Sequence, residues 1–418
     1  MAVYLDAVDR FLALGDLQRA GALLARLLRA SGVSDVERAQ LLARRARMRL
    51  LAEKPDDALE DLRVCGTLDP AAIDTPPLLE LAGDTYFARF ELAPVGFADR
   101  ADAEQAMTHY NRLITLAPDY GNLGWVIYQK GRILLSAGAS DQAAAFFEQA
   151  LEKPSQVAAL PALCHERLGF IELFERRDAA LALEYFAQAV EVYPAGENAG
   201  WLVQLHILRS RAFREQRLYH AALTAARQAL STIDTTAPDY RRALPEAHLA
   251  VGEALAAIEG REPEAIDHLV QFLQLSRRPL GVDVTWSRVH ETIGDLSFRL
   301  GRYESAVEAY LSALSFNPFH PLEMHVRYQI ARCYYRLQNY QRTIETLEAL
   351  QAAAAAEGEP VRDYRVYHVF GNACYAMERY SQAAVAYRQA LLLAPAGAEH
   401  LDQIRTYLRY AEELSPYA

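Results

Sequence analysis

The sequence predicts an all-α chain, an α-solenoid of about ten helical hairpins closed by one C-terminal helix. Three observations predict it. A triplet of apolar residues, spaced by four and then three positions, returns ten times along the 418 residues. Most copies have a small residue upstream, and several have a proline downstream. No segment shows the two-residue alternation of a half-buried strand.

The triplets, in order, are Ala20/Leu24/Leu27, Ala58/Leu62/Cys65, Ala106/Tyr110/Leu113, Ala143/Phe147/Ala150 and Ala182/Phe186/Ala189. Ala222/Ala226/Ala229, Ala265/Leu269/Phe272, Ala306/Tyr310/Ala313, Thr343/Leu347/Leu350 and Ala383/Tyr387/Ala390 follow, at spacings of 37 to 48 residues. Offsets of four and seven put each triplet on one face of a helix. The upstream small residues are Gly83, Gly131, Gly169, Ser210, Gly252, Gly294, Ala331 and Gly371. Small residues on both helices permit close approach, and an aromatic between them fills the space that remains. Turn signals such as Leu300-Gly301-Arg302-Tyr303 separate the two helices of a unit. Pro70, Pro118, Pro194, Pro318 and Pro395 close the second helix, because proline lacks the N–H and clashes with the preceding turn. A lone hairpin cannot cover its apolar face, so each must stack on the next.

The whole of 1–418 thus reads as a single array. Residues 1–70 hold degenerate N-terminal repeats, and 75–118 hold a repeat with a loop inserted near 90–100, where Phe97 has no packing role and is a candidate partner contact. The remaining repeats fill 119–395. The stretch 351–360 reads as a lengthened helix end and a turn. Residues 397–414 form a capping helix with Leu401, Ile404, Leu408 and Ala411 on one face.

Totals narrow the function. Apolar residues make up 52% and charged residues 23%, as in a folded soluble protein. A net charge of -11 argues against a dedicated nucleic-acid binder. Lysine occurs only at Lys54, Lys130 and Lys153. Cys65, Cys164, Cys333 and Cys374 show neither a disulfide framework nor metal-ligand spacing, and read as buried reduced thiols of a cytoplasmic protein. The N-terminus reads as an amphipathic helix rather than a signal peptide, since Asp6, Asp9 and Arg10 interrupt its apolar core. No run reaches the ~20 apolar residues of a membrane span. Phosphate-loop, zinc-protease and nucleophile-elbow motifs are missing, so the expectation is no catalytic residue, no metal and no cofactor.

Residues 287–318 and 364–395 resemble the tetratricopeptide repeat, whose signature runs from Trp through Leu-Gly and Tyr to Ala, an aromatic and Pro. Residues 124–154 and 162–194 are similar to it. The first, sixth and ninth units are degenerate. The resemblance implies a right-handed superhelix whose first helices line a concave groove for peptides or partner proteins.

Inward positions then lie three residues before the small residue, and one and four after it. In the last two units these are Tyr328, Arg332, Tyr335, His368, Asn372 and Tyr375, flanked by Arg336 and Arg365. A basic, aromatic surface suits an acidic peptide or a free C-terminal carboxylate. Asn372, Arg332 and His368 partly resemble the family's carboxylate-clamp subclass, although its two lysines are missing. Tyr128, Arg132 and Leu135 take these positions in the fourth unit, and Glu166, Glu253, Glu291 and Asp295 make the middle acidic. His165, His206, His248 and His290 each precede the small residue by one turn, where the family often has Trp, and read as packing residues, with a proton-sensitive seam as the alternative. The function expected is a non-enzymatic interaction scaffold. The alternatives are a peptide-sensing regulator of a separate effector and, more weakly, a subunit of a nucleic-acid-associated complex.

Overall fold

The computed structural model describes residues 1–93, 99–194, 199–234, 240–356, 358 and 360–415, save the side chains of Ala199 and Arg242. Among them every regular element is a helix, apart from one 3-10 turn at Ala72–Asp74. The chain divides into two compact units, Met1–Glu197 and Asn198–Ala418. Phe97 lies outside the described residues.

In the first unit, α1 (Ala2–Ala13) pairs with α2 (Leu17–Leu28), α3 (Asp35–Leu51) with α4 (Pro55–Leu68) and α5 (Pro76–Leu92) with α6 (Arg100–Leu116). Then α7 (Leu123–Ser136) pairs with α8 (Ser140–Leu151) and α9 (Leu160–Phe174) with α10 (Ala179–Val192). In the second unit, α11 (Ala199–Glu215) pairs with α12 (Tyr219–Thr232), α13 (Tyr240–Ala256) with α14 (Glu262–Leu275) and α15 (Val284–Arg299) with α16 (Tyr303–Phe316). Last come α17 (Glu323–Arg336) with α18 (Tyr340–Ala356), α19 (Tyr364–Ala376) with α20 (Tyr380–Leu393), and α21 (Leu401–Leu414), which packs on α20.

All thirty triplet residues are buried; none is more than 8% exposed. The reason for the small residue upstream is visible as a distance. A Cβ placed on Gly83, Gly131, Gly169, Gly294 or Gly371 would stand 2.4–2.7 Å from the aromatic ring of its own hairpin, against the ~3.5–4.0 Å of ordinary carbon contact. Each of the five prolines that close a hairpin stands two residues beyond the end of its helix.

The turns between paired helices carry a second regularity. Gly15, Glu53, Gly138, Arg177, Arg217, Gly260, Gly301, Gln338 and Glu378 all have φ between 56° and 78°, the left-handed region. Each ends a first helix, as when the Arg302 N–H reaches back to the Ser297 carbonyl at 2.9 Å. Glycine takes this geometry without strain; five of the nine positions hold a larger residue instead.

Tyrosine at the aromatic position adds a hydroxyl that needs a partner. The Tyr110 hydroxyl donates to Asp84 at 2.6 Å, that of Tyr310 to Asp295 at 2.6 Å and that of Tyr387 to Asn372 at 2.8 Å. In each case the acceptor directly follows the small glycine. Where the aromatic is Phe147 or Phe186, the residue after glycine is Arg132 or Phe170, with no acceptor oxygen. The pairing of Tyr with Asp or Asn is thus internal to each hairpin.

Candidate functional site

The first helices α17 and α19, with the turn before α21, enclose a cavity of about 380 Å³ in the second unit. Seven of the eight groove residues expected from the register line it: Tyr328, Arg332, Tyr335, Arg336, Arg365, His368 and Asn372. The i, i+4 and i, i+7 spacing explains why. Arg332 and Tyr335 follow Tyr328 on one face of α17, as Asn372 follows His368 on α19.

The side chains differ in how free they are. Tyr328 is buried and packs on Leu347 and Leu350. The Arg332 guanidinium lies 4.5 Å from the Phe298 ring centroid and 5.8 Å from that of Tyr328, and donates to the Gln329 side-chain oxygen at 2.8 Å. These contacts fix its plane beside the cavity without neutralising it. Arg365 is neutralised by Asp363 at 2.6 Å. Arg336 is exposed and has no ion-pair partner among the described residues. The Asn372 oxygen is taken by the Tyr387 hydroxyl, which turns its amide N–H groups to other partners.

His368 is only 9% exposed, and its Nε2 is buried without a hydrogen-bond partner. Burial, and behind it the neighbouring His400, push its imidazole down to about 4. The two rings are 5.5 Å apart.

Tyr375 is not part of the lining. It packs edge-on against Tyr380 and Tyr407, each at 5.3 Å, and so joins α19 to α21. Its position, four after the small residue, is inward only while another first helix follows. In the last hairpin α21 covers it instead. Lining residues missed by the register are His325, Gln329, Tyr364, Val369, Glu399, His400 and Gln403. His325 and Tyr364 lie three and four residues before Tyr328 and His368, so extending the inward stripe by one turn finds them, and Gln329 and Val369 directly follow those two anchors. The other three belong to the approach and first turn of α21, which the sequence presents only as a cap.

The acidic residues expected in the middle are already engaged. Glu253 bridges Arg214 at 2.8 Å and Arg288 at 2.9 Å, joining three successive first helices. Glu291 lies 3.3 Å from His320, Glu166 pairs with Arg167 at 3.3 Å, and Asp295 holds the Tyr310 hydroxyl. In the first unit Arg132 pairs with Glu91 and stacks over Phe87 and Tyr128.

The four histidines make their ring contacts within their own hairpins. His165 stacks on Tyr185, His290 on Phe316, and His248 meets His268 with the Nδ1 atoms 3.0 Å apart. His206 faces Arg209. Burial is the main cause that holds all four imidazoles below their ordinary range. The cysteines are buried, and burial pushes Cys164 and Cys333 up to about 12. Among the described residues no three His, Cys, Asp or Glu side chains are grouped to hold a metal ion, and no helix is long and apolar enough to cross a membrane.

A tetratricopeptide repeat family profile matches residues 126–152, 287–320 and 364–396, and a second profile of the same description matches 325–354. The last match is the ninth unit, degenerate in its triplet at Thr343. No curated protein matches the chain. Among solved structures, the C-terminal part of a TPR repeat-containing protein from Cytophaga hutchinsonii is 15% identical, over 66% of this chain and 98% of that one, with a TM-score of 0.48. A tetratricopeptide repeat protein from Parabacteroides merdae is 16% identical, over 69% and 98%, with a TM-score of 0.40. YrrB, described as a TPR protein with an unusual peptide-binding site, is 18% identical, over 52% and 97%, with a TM-score of 0.38. Three of the four matched segments fall on hairpins whose glycine–aromatic contacts are those measured above, at Gly131, Gly294 and Gly371, and the hairpins at 126–152, 287–320, 325–354 and 364–396 are tetratricopeptide repeats.

Proposed function

We propose that the chain is a non-enzymatic adaptor whose second unit captures an acidic segment or a free C-terminal carboxylate of a partner protein. The observation that carries this reading is the cavity between α17, α19 and the turn before α21. It combines an unpaired exposed guanidinium, Arg336, with a second one, Arg332, held flat by two rings and left without an acidic partner. A preformed guanidinium gives up little side-chain freedom when it takes a carboxylate, and two planar forks favour that geometry over a lone spherical anion. Asn372, Gln329 and Tyr335 supply neutral hydrogen-bonding groups around them. Stacked repeats provide the extended surface on which the rest of a partner would lie.

The test uses fluorescent decapeptides, acidic or charge-neutral, with the C-terminus free or amidated. The acidic peptides bind the wild-type chain, and Arg336→Glu weakens them at least tenfold while the helical circular dichroism is unchanged. Equal binding of acidic and neutral peptides, or no change with Arg336→Glu, removes the assignment.

A further inference from the structure

Three of the eleven histidines, His325, His368 and His400, line one cavity of about 380 Å³. They differ in setting. His325 and His400 are exposed, and His325 Nε2 meets the Gln329 amide at 3.0 Å. His368 alone is shut from water, with its Nε2 unpartnered. A buried polar nitrogen without a partner is an uncommon state in a packed protein. It is a natural place for a group that arrives with a ligand.

The charges around it are few. From α17 come Arg332, Arg336 and His325, with the neutral phenols of Tyr328 and Tyr335. From α19 itself come Tyr364 and Arg365, the latter cancelled by Asp363. The turn before α21 brings Glu399 and His400. From α20, packed on the far side of α19, the Tyr387 hydroxyl is engaged by Asn372; α18 packs there through Leu347 and Leu350. Next to burial, His400 lowers the His368 imidazole further. With neutral imidazoles, the three guanidiniums against Glu399 and Asp363 leave one uncompensated positive charge. A segment bearing several carboxylates brings more negative charge than that.

We propose that an acidic segment entering this cavity brings a proton with it, taken up from solvent by the His368 imidazole, so that capture strengthens as the pH falls. The step forms one N–H bond and breaks none in the protein. Both ring nitrogens then carry hydrogen, and Nε2–H donates to a carboxylate oxygen of the ligand. The exposed His400 ring, at the left-handed residue that precedes α21, turns aside to admit it. In the empty cavity burial keeps His368 neutral at pH 7; an adjacent carboxylate reverses the balance, because an opposite charge within ~4–6 Å favours the charged form.

This inference rests on the capture of acidic segments proposed above, and one experiment separates the two. N-acetylated hexa-aspartate with a free carboxyl terminus is titrated calorimetrically into the full chain between pH 7 and 5.5, in buffers of different ionisation enthalpy. The expected result is uptake of up to one proton per peptide, and affinity rising by up to about tenfold per pH unit, the limit for one coupled proton. His368→Gln binds at pH 7 but loses most of that slope, and His325→Gln keeps it. Binding with no proton uptake, or a slope unaltered in His368→Gln, overturns the proposal and leaves acidic capture standing. No binding at any pH overturns both. If His368→Gln does not fold, the His368 ring nitrogens of the wild-type chain are titrated by nuclear magnetic resonance with and without peptide. An upward shift of their midpoint on loading supports the proposal, and an unmoved midpoint overturns it.

Discussion

Alanine in place of Gly294 should destabilise the second unit, whereas the same change at Gly21 should not destabilise the first. Both glycines are inside helices, so in each case alanine gains about 1 kcal/mol of intrinsic helix preference. Their surroundings decide the sign. At Gly294 the new Cβ would lie 2.6 Å from the Tyr310 ring, about 1 Å inside ordinary carbon contact. The ring is 1% exposed and its hydroxyl is tied to Asp295, so it has no free direction in which to withdraw. Overpacking a rigid site costs roughly 1–3 kcal/mol, and this geometry belongs at the upper end. The net loss is therefore about 2 kcal/mol. At Gly21 the nearest atom is the Met48 sulfur at 3.2 Å, the far part of a flexible side chain that moves cheaply. The expected result there is a gain of up to about 1 kcal/mol. Because a repeat array can open locally, amide hydrogen exchange in α2, α15 and α16 should accompany urea unfolding. A Gly294→Ala chain as stable as wild type, or two glycine variants moving together, would refute the packing explanation.

Other perturbations test separate features. Tyr310→Ala should cost roughly 3–5 kcal/mol in urea unfolding, while Tyr310→Phe, which keeps the ring and loses one hydrogen bond, should cost about 1 kcal/mol. At the left-handed turn positions, Gly301→Ala should lose about 1 kcal/mol and Glu378→Gly should gain a few tenths or more, read as opposite shifts of the urea midpoint. Burial holds the Asp84 and Glu80 carboxyls above their ordinary range despite the hydrogen bonds they accept. A folded-state value above the unfolded one gives stability that is complete below about pH 4 and lost as the pH rises through the folded value. Unfolding of the first unit should therefore become easier from pH 4 towards pH 7, and Asp84→Asn should flatten that dependence.

The hairpins were legible because their information is local. Small and aromatic residues four and seven positions apart mark a buried face whatever surrounds it, and the ten triplets are buried as that spacing requires. The contacts between hairpins were harder to read. Glu253 looks like a free acid on an inward face until the register of both neighbours is superposed, when Arg214 and Arg288 fall on either side. Asp295 looks inward too, yet its nearest demand comes from a phenol in its own hairpin. Tyr375 and His400 were illegible for a different reason. Their surroundings depend on α21, which follows no repeat register, so periodicity could show its apolar face but not where its first turn would dock.

That last helix has a consequence for how such a chain can grow. Glu399, His400 and Gln403 form one wall of the cavity while belonging to no hairpin. Duplication of a unit anywhere before α17 would lengthen the protein and leave this chamber whole. Insertion between α20 and α21 would carry the wall away from Arg332 and His368 and put an ordinary first helix in its place. The junction between α20 and α21 is thus closed to lengthening, whereas copies added or lost before α17 leave the cavity as it is.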